Sequence, residues 1–332
     1  MSADTLAGKM GAEAGALLAE LTAEQRERAA YPFADAAARR WLEYRPEPRP
    51  GLCIAELSLP ARKAAHRLLA AGLSGHAFAQ AMAITSLEEV LDRRERGRLG
   101  RHSGDYWVAV FGDPVAGDPV AGDPLAGDAA SGEPWSWRFE GHHVSVTMTI
   151  AGGQVSPAPV FLGANPNRVS YAGRPVLRPL GPEEDLALGL LDALGPAGRA
   201  QAIVSDQAPD DIRSARDARA ADLIEPAGIA ASDLGPTARA ALHQLVAAYL
   251  DRLPPELAAR EAERALAGEL WFAWEGMTGQ GSRHYYRVQG DDLLIEYDKT
   301  TADGNHAHTV LRRPRSDFGA DVLAAHLREA HA

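Results

Sequence analysis

The stretch SRHYYRVQGDDLLIEYDKTTADGNHAHTVLR, residues 282–312, narrows the possible folds most. Three short runs of β-branched and aromatic residues are broken by Gly-Asp-Asp and by Thr-Ala-Asp-Gly-Asn, the pattern of an antiparallel meander. With Lys299 to Asn305 as the second loop, Asp298 pairs with His306 and Glu296 with His308. Residues two apart on a strand share a face, so two carboxylates and two imidazoles emerge together with Leu294 and Val310. Leu293, Ile295, Tyr297 and Leu311 take the opposite face. A register slip of one residue would break this coincidence.

A second β-prone block runs from Trp135 to Ile150, WSWRFEGHHVSVTMTI. Read as one long strand ending at Ala151-Gly152-Gly153-Gln154, it places Glu140, His142, Val144, Val146 and Met148 on one face. Trp135, Trp137, Phe139, His143 and Ser145 take the other. Adjacent histidines on a strand point opposite ways, so at most one of the two reaches a site, and His142 shares the face of Glu140. Tyr106–Phe111, the start of Val160–Asn167 and Leu270–Gly276 read as further strands. Phe139-Glu140-Gly141-His142 and Trp274-Glu275-Gly276, the latter followed by His284, are compatible with a duplicated half.

Residues 1–104 are rich in Ala, Leu, Glu and Arg, with apolar positions three and four apart, the helical period. Pro32 separates a first helix from one carrying Trp41, Leu42 and Tyr44, which Pro46, Pro48 and Pro50 must stop. Ala61–Ala71, capped by Gly72, and His76–Arg96 read as helices, as do Gly181 to about Leu194, parts of 236–268, and Phe318–His331. Residues 205–235 have no clean period and read as a surface excursion. The expectation is one α+β unit over 1–332: a helical part, 1–104, and a part, 105–332, in which antiparallel β segments interleave with helices. The repeat GDPVA-GDPVA-GDPLA-GD spaces Asp113, Asp118, Asp123 and Asp128 five apart, which matches no calcium loop and reads as a low-complexity turn segment.

Net charge is −11, from 34 basic and 45 acidic residues, which disfavours nucleic acid and anionic membrane surfaces as partners. A single cysteine, Cys53, excludes an internal disulfide. No run approaches the ~18–20 apolar residues of a membrane span, and the first residues lack a basic start followed by an apolar core. A cytoplasmic protein is the expectation. Phosphate-binding Gly-Lys-Ser/Thr loops and dinucleotide fingerprints are absent from the sequence.

Several blocks in order resemble the bacterial domain of unknown function 3500 family. They are Tyr106-Trp107-Val108-Ala109-Val110-Phe111-Gly112, Trp135-x-Trp137-x-Phe139-Glu140-Gly141-His142-His143, Phe161-Leu162-Gly163-Ala164-Asn165-Pro166, His284 to Gly290, Glu296-Tyr297-Asp298 and Asn305-His306-x-His308. The resemblance spans nearly the whole chain and implies no activity, so chemistry rests on the residues.

His306-x-His308 on one strand presents two imidazoles to one ion, and a third ligand is available from His142, His284 or Asp298. Three protein ligands and an open position characterise catalytic metals, and a nitrogen/oxygen set without thiolate suits iron, copper or zinc. Glu275, Glu140 or Glu296 then serves as general base toward metal-bound water. Arg287 and Arg312 offer a clamp for a carboxylate or phosphate, while Tyr286 and Trp137 are candidates for the pocket wall. The expectation is a metal-dependent enzyme acting on a small molecule, with an oxygen-using oxidoreductase first and a zinc hydrolase second. The competing class is a metal-free small-molecule binding protein built on Arg287, Arg312 and Tyr286.

Overall fold

The computed structural model describes residues 5–97, 101–115, 132–220, 225–279 and 281–330. Asp118, Asp123 and Asp128 of the five-residue repeat lie outside the described residues. The chain is an α+β protein built on a mixed sheet. It starts with α1 (Leu6–Ala19), α2 (Ala23–Ala29), β1 (Ala30–Tyr31) and α3 (Ala36–Arg39), then runs extended to β2 (Leu52–Cys53). Helices α4 (Leu59–Gly72) and α5 (Gly75–Arg94) precede β3 (Tyr106–Phe111), β4 (Trp135–Gly141), β5 (Val144–Ala151), β6 (Gln154–Ser156) and β7 (Val160–Ala164). A hairpin, β8 (Val169–Tyr171) and β9 (Arg174–Leu177), leads to α6 (Gly181–Ala193), α7 (Gly195–Ala202) and β10 (Ile203–Ser205). After another long connection come β11 (Ile229–Ala230), α8 (Pro236–Leu250) and α9 (Pro255–Leu266). Strands β12 (Trp271–Gly276), β13 (His284–Gln289), β14 (Leu294–Lys299) and β15 (Ala307–Arg312) follow, and α10 (Ala320–Ala330) closes the chain.

One order of elements occurs twice: helix pair, short strand, long loop, short strand, helix pair, meander. The pairings repeat with it. β1 lies parallel to β3 as β10 does to β12, and β2 antiparallel to β3 as β11 does to β12. The meanders meet edge to edge through β7 and β15, giving the order β1-β3-β4-β5-β7-β15-β14-β13-β12-β10. The duplicated blocks differ from the sequence expectation. Ala109 pairs with Arg138 as Ala273 pairs with Arg287, and the Gly141–Val144 turn is answered by Gly290 N–H donating to Leu293 O. Phe139-Glu140-Gly141-His142 therefore corresponds to Val288-Gln289-Gly290-Asp291, and Trp274-Glu275-Gly276 to Val110-Phe111-Gly112. Matching glycines with positive φ, Gly51 and Gly228, precede β2 and β11, where a Cβ would run into the carbonyl oxygen of Val108 or Phe272.

Residues 135–150 form a hairpin and not one strand. The two-residue turn at His142-His143 sends Val144, Val146 and Met148 back to the face of Trp137 and Phe139, and Ser145 to the face of Glu140. One sheet face is apolar and packs under helices; Trp137, Trp274, Tyr286 and Tyr297 are all buried in that core. Gly72 ends α4 without a left-handed cap, since a Cβ there would meet the Trp137 indole 2.6 Å away. The opposite face is polar yet buried, carrying Arg138, Glu140, Ser145, Thr147, Glu296, Asp298, His308 and Arg312. Covering it are segments 32–51 and 206–220, through a small cluster of Leu42, Tyr44, Phe161, Ile212, Val310 and Phe318. The expected helix through Trp41 to Tyr44 stops at Arg39, leaving that segment extended across the sheet. Within the expected surface excursion of residues 205–235, Ile212, Ser214 and Ala220 are buried, so 206–220 packs onto the sheet at these points while much of it stays exposed.

A candidate metal centre

The β14–β15 register is Asp298 opposite His308, with Glu296 opposite Val310. It is displaced by two residues from the expected pairing of Asp298 with His306, because Ala302–Gly304 makes a turn of 3-10 helix and β15 starts at Ala307. A two-residue shift preserves faces, so the acids and His308 still share a side. His306 sits just before β15, and its ring contacts that of His308 edge-on at 4.6 Å.

The third imidazole is His143. In the β4–β5 turn it takes φ 66°, which frees it from the alternation that governs a strand. Its Nε2 lies 2.8 Å from Nε2 of His306, and its ring centroid 5.3 Å from that of His308. The ligand atoms of His143, His306 and His308 all lie within 4.8 Å of one another. Two of the outer nitrogens are engaged: Asp211 Oδ1 meets His308 Nδ1 at 2.7 Å, and Thr301 Oγ1 meets His306 Nδ1 at 2.9 Å. Tyr44 donates its hydroxyl to the other Asp211 oxygen at 2.8 Å and stacks on Phe161, fixing the acid from behind. This carboxylate–imidazole arrangement orients a ligand ring and raises its basicity. His306 is half-buried and the Asp211 side chain 40% exposed, so the cluster reaches solvent along that edge.

Electrostatics keep the rings in the lone-pair form a metal needs. Burial, then the neighbouring His142, His306 and His308 rings, push His143 well below the ordinary histidine range. Burial and His308 take His306 down to about 3. Burial works against the charge of Asp211, but the hydrogen bond from His308, its attraction and the Tyr44 hydroxyl outweigh it and hold the carboxyl below its usual value. Asp298, 3.9 Å from His308 Nδ1, is pushed up by burial to about 7. The His306 ring is accordingly expected to show no titration between pH 5 and 8 when followed by nitrogen NMR of the apo protein. A midpoint near 6.5 would contradict this environment.

Two further donor groups share these residues, Glu88–His142–His143 and Asp211–Asp298–His308. The His142 ring stacks on His143 at 3.7 Å, but its Nδ1 is 2.5 Å from Glu88 and 3.1 Å from the Arg101 guanidinium. A cation beside Arg101 is repelled. Burial, then Arg101, pushes His142 down to about 2, and burial pushes Glu88 up to about 8, both directions favouring the uncharged forms. In the third group, Asp211 is already spent on His308 and Tyr44.

The other sequence candidates are elsewhere. His284 lies on the apolar face between Trp274 and Tyr297, at ring distances of 4.4 and 5.5 Å, because it sits one residue out of phase with Tyr285 and Arg287. Glu275 is clamped by Arg213 at 2.5 Å and Arg287 at 3.2 Å. Glu296 accepts from the Arg213 amide, the Ser214 amide and the Tyr285 hydroxyl. Arg312 is bound to Asp317 and to the Asp217 carbonyl, Tyr286 to Tyr249 and the Glu183 carbonyl, and Trp137 packs in the core. The register explains the exclusions: these side chains serve either the core or the bonds that pin the covering loops.

Sequence reasoning missed His143, Asp211, Tyr44, Glu88 and Gly163. A Cβ on Gly163 would lie 2.8 Å from His143 Cδ2 and 3.1 Å from His308 Cδ2, so only glycine lets both rings approach. Gly163→Ala is expected to lower stability by about 1–3 kcal/mol and to weaken metal binding, read by urea denaturation and by metal titration. An unchanged metal affinity would mean the rings are not held by this contact.

The duplicated architecture separates what the fold requires from what it does not. Arg138 and Arg287, and Gly141 and Gly290, match between halves. His143 corresponds to Asp292, and, stepping back four residues from Phe161 and Arg312 in the matching pairs Ser145–Phe161 and Leu294–Arg312, His308 corresponds to Pro157. Each half builds the same scaffold without the imidazole that the other supplies at the matching position.

Compared with known families, residues 3–320 match the family described as "Protein of unknown function (DUF3500)". No curated protein and no solved structure matches the chain. Among the described residues, no helix is long and apolar enough to cross a membrane.

Proposed function

The chain belongs to the DUF3500 family, whose description carries no activity, and we propose from its site that it is a metal-dependent enzyme acting on a small molecule. The observation that carries this reading is the meeting of His143, His306 and His308, brought from a turn, a loop and a strand onto one small volume open at an edge. Three nitrogen ligands with a position left over suit a catalytic divalent transition metal, with zinc, iron and copper all compatible. Bound there, the ion would supply Lewis acidity and a water activated near neutral pH. Asp211 orients His308, and Asp298 stands beside it as the acid able to exchange a proton with a substrate.

Hydrolysis by metal-bound water is the reading the geometry favours. An oxygen-using oxidoreductase was expected because the site is rich in imidazole and walled by Trp and Tyr; the imidazoles are there, but Trp137, Trp274 and Tyr286 lie in the core on the other side of the sheet. A metal-free binding protein needs free cations, whereas Arg287 and Arg312 are both committed to internal acceptors.

Elemental analysis of the purified protein, followed by zinc reconstitution and an ester, amide and phosphoester panel, tests the proposal. Stoichiometric zinc with hydrolysis supports it. Stoichiometric iron or copper with oxygen uptake would replace it by oxidation, and absence of any bound metal after supplementation would end it. Asp211→Asn is expected to weaken metal binding about 10–100-fold, as loss of an orienting partner does, measured by competition with a chelating dye.

A further inference from the structure

At the end of β15 opposite His308, a cavity of about 250 Å³ opens between α8, α9 and the β13–β14 turn. Its floor is apolar: Leu250, Leu253, Leu293 and Leu311. The duplicated halves explain why it exists. In the first half α5 runs on to Arg94, and its later turns bring Glu88 against the β4–β5 turn. The corresponding α9 stops at Leu266, so the space beside the matching turn at Asp291-Asp292 is left unfilled. Interiors normally close such voids.

The polar groups on its wall are unequally satisfied. Asp292 accepts from the Ser316 hydroxyl, the Arg315 amide and Arg313. Arg313 and Arg264 are each engaged by Asp321, at 2.8 and 3.1 Å. Glu261 is different. Only 5% exposed, it has a long 3.4 Å hydrogen bond from Arg260 and a 3.5 Å approach from Arg313 Nε, an atom with no hydrogen-bond partner of its own. Burial outweighs the attraction of Arg264 and Arg260 and pushes its carboxyl up from the usual range. A buried carboxylate so weakly answered, above four leucines, calls for a cation carried on an apolar body.

We propose that this cavity binds a small organic ammonium compound, its nitrogen on Glu261 and its hydrocarbon part on Leu250, Leu253, Leu293 and Leu311. The site is separate from the histidine cluster, at the far end of the same strand.

Calorimetry on the full-length protein with 2-phenylethylamine, 2-phenylethanol and phenylacetate as probes tests it. The amine is expected to bind one per chain and at least tenfold more tightly than the alcohol. Glu261→Gln should remove that preference, and Ala265→Leu, which projects into the cavity, should weaken all binding tenfold or more. His308→Ala should leave amine affinity unchanged. Should Glu261→Gln fail to fold, the amine-over-alcohol ratio of the wild type and the Ala265→Leu result decide. Equal binding of amine and alcohol, tighter binding of phenylacetate, no binding of any probe, or an amine preference that survives Glu261→Gln would each overturn the assignment.

Discussion

His308→Ala is expected to abolish stoichiometric transition-metal binding, and His143→Ala and His306→Ala to do the same, while His142→Ala and His284→Ala are expected to keep the metal. Structural zinc bound by four ligands is worth ~10–16 kcal/mol, or ~3 kcal/mol per ligand. Losing one nitrogen of three therefore weakens binding by about a hundredfold or more at ~1.4 kcal/mol per tenfold. His142 is spared because Glu88 and Arg101 already occupy its Nδ1 and the guanidinium repels a cation. His284 is spared because it faces the opposite side of the sheet, stacked on Trp274. Elemental analysis after dialysis reads the outcome, with circular dichroism to show that each variant is folded. Metal retained by folded His308→Ala, or lost from folded His284→Ala, would refute the assignment of the centre.

Arg312→Ala is expected to lower stability by about 3–5 kcal/mol, the usual consequence of breaking a buried pair from one side. Arg312 is fully buried; its Nε donates to Asp317 at 2.7 Å and its terminal nitrogens to the carbonyls of Ser214 and Asp217. Removing it strands a carboxylate that burial already pushes up to about 6, and frees two carbonyls in the loop that carries Asp211. Urea denaturation measures the loss. A change below about 1 kcal/mol would mean that the arginine is available to a ligand after all.

The meander over 282–312 was legible because strand alternation has a period of two, and a register shift of two residues leaves faces unaltered. That is why Asp298 and His308 were found on one side although the expected partner was wrong. The β-prone run 135–150 misled for a related reason. The apolar positions change phase across the two-residue turn, odd at Trp135, Trp137 and Phe139 and even at Val144, Val146 and Met148; read as one strand, the run was split over both faces, and His142 was preferred to His143. The echo read from the sequence matched Phe139-Glu140-Gly141-His142 with Trp274-Glu275-Gly276, the wrong blocks, since the residues that do correspond, Arg138 with Arg287, Gly141 with Gly290 and Gly51 with Gly228, are scattered between unrelated side chains.

By itself the sequence determined the α+β class, the strands of the second meander and the pairing of His306 with His308 as a chemical unit, because these depend on local periodicity and on residues two apart. Only the tertiary structure decided that His143 completes the trio, that Asp211 and Tyr44 support it from two separate loops, and that Gly163 makes room for the rings. The contacts of His306 with His143, of His308 with Asp211 and of Asp211 with Tyr44 join residues 163, 97 and 167 positions apart, and nothing in the local pattern of a chain encodes which distant turn will pack against which strand end.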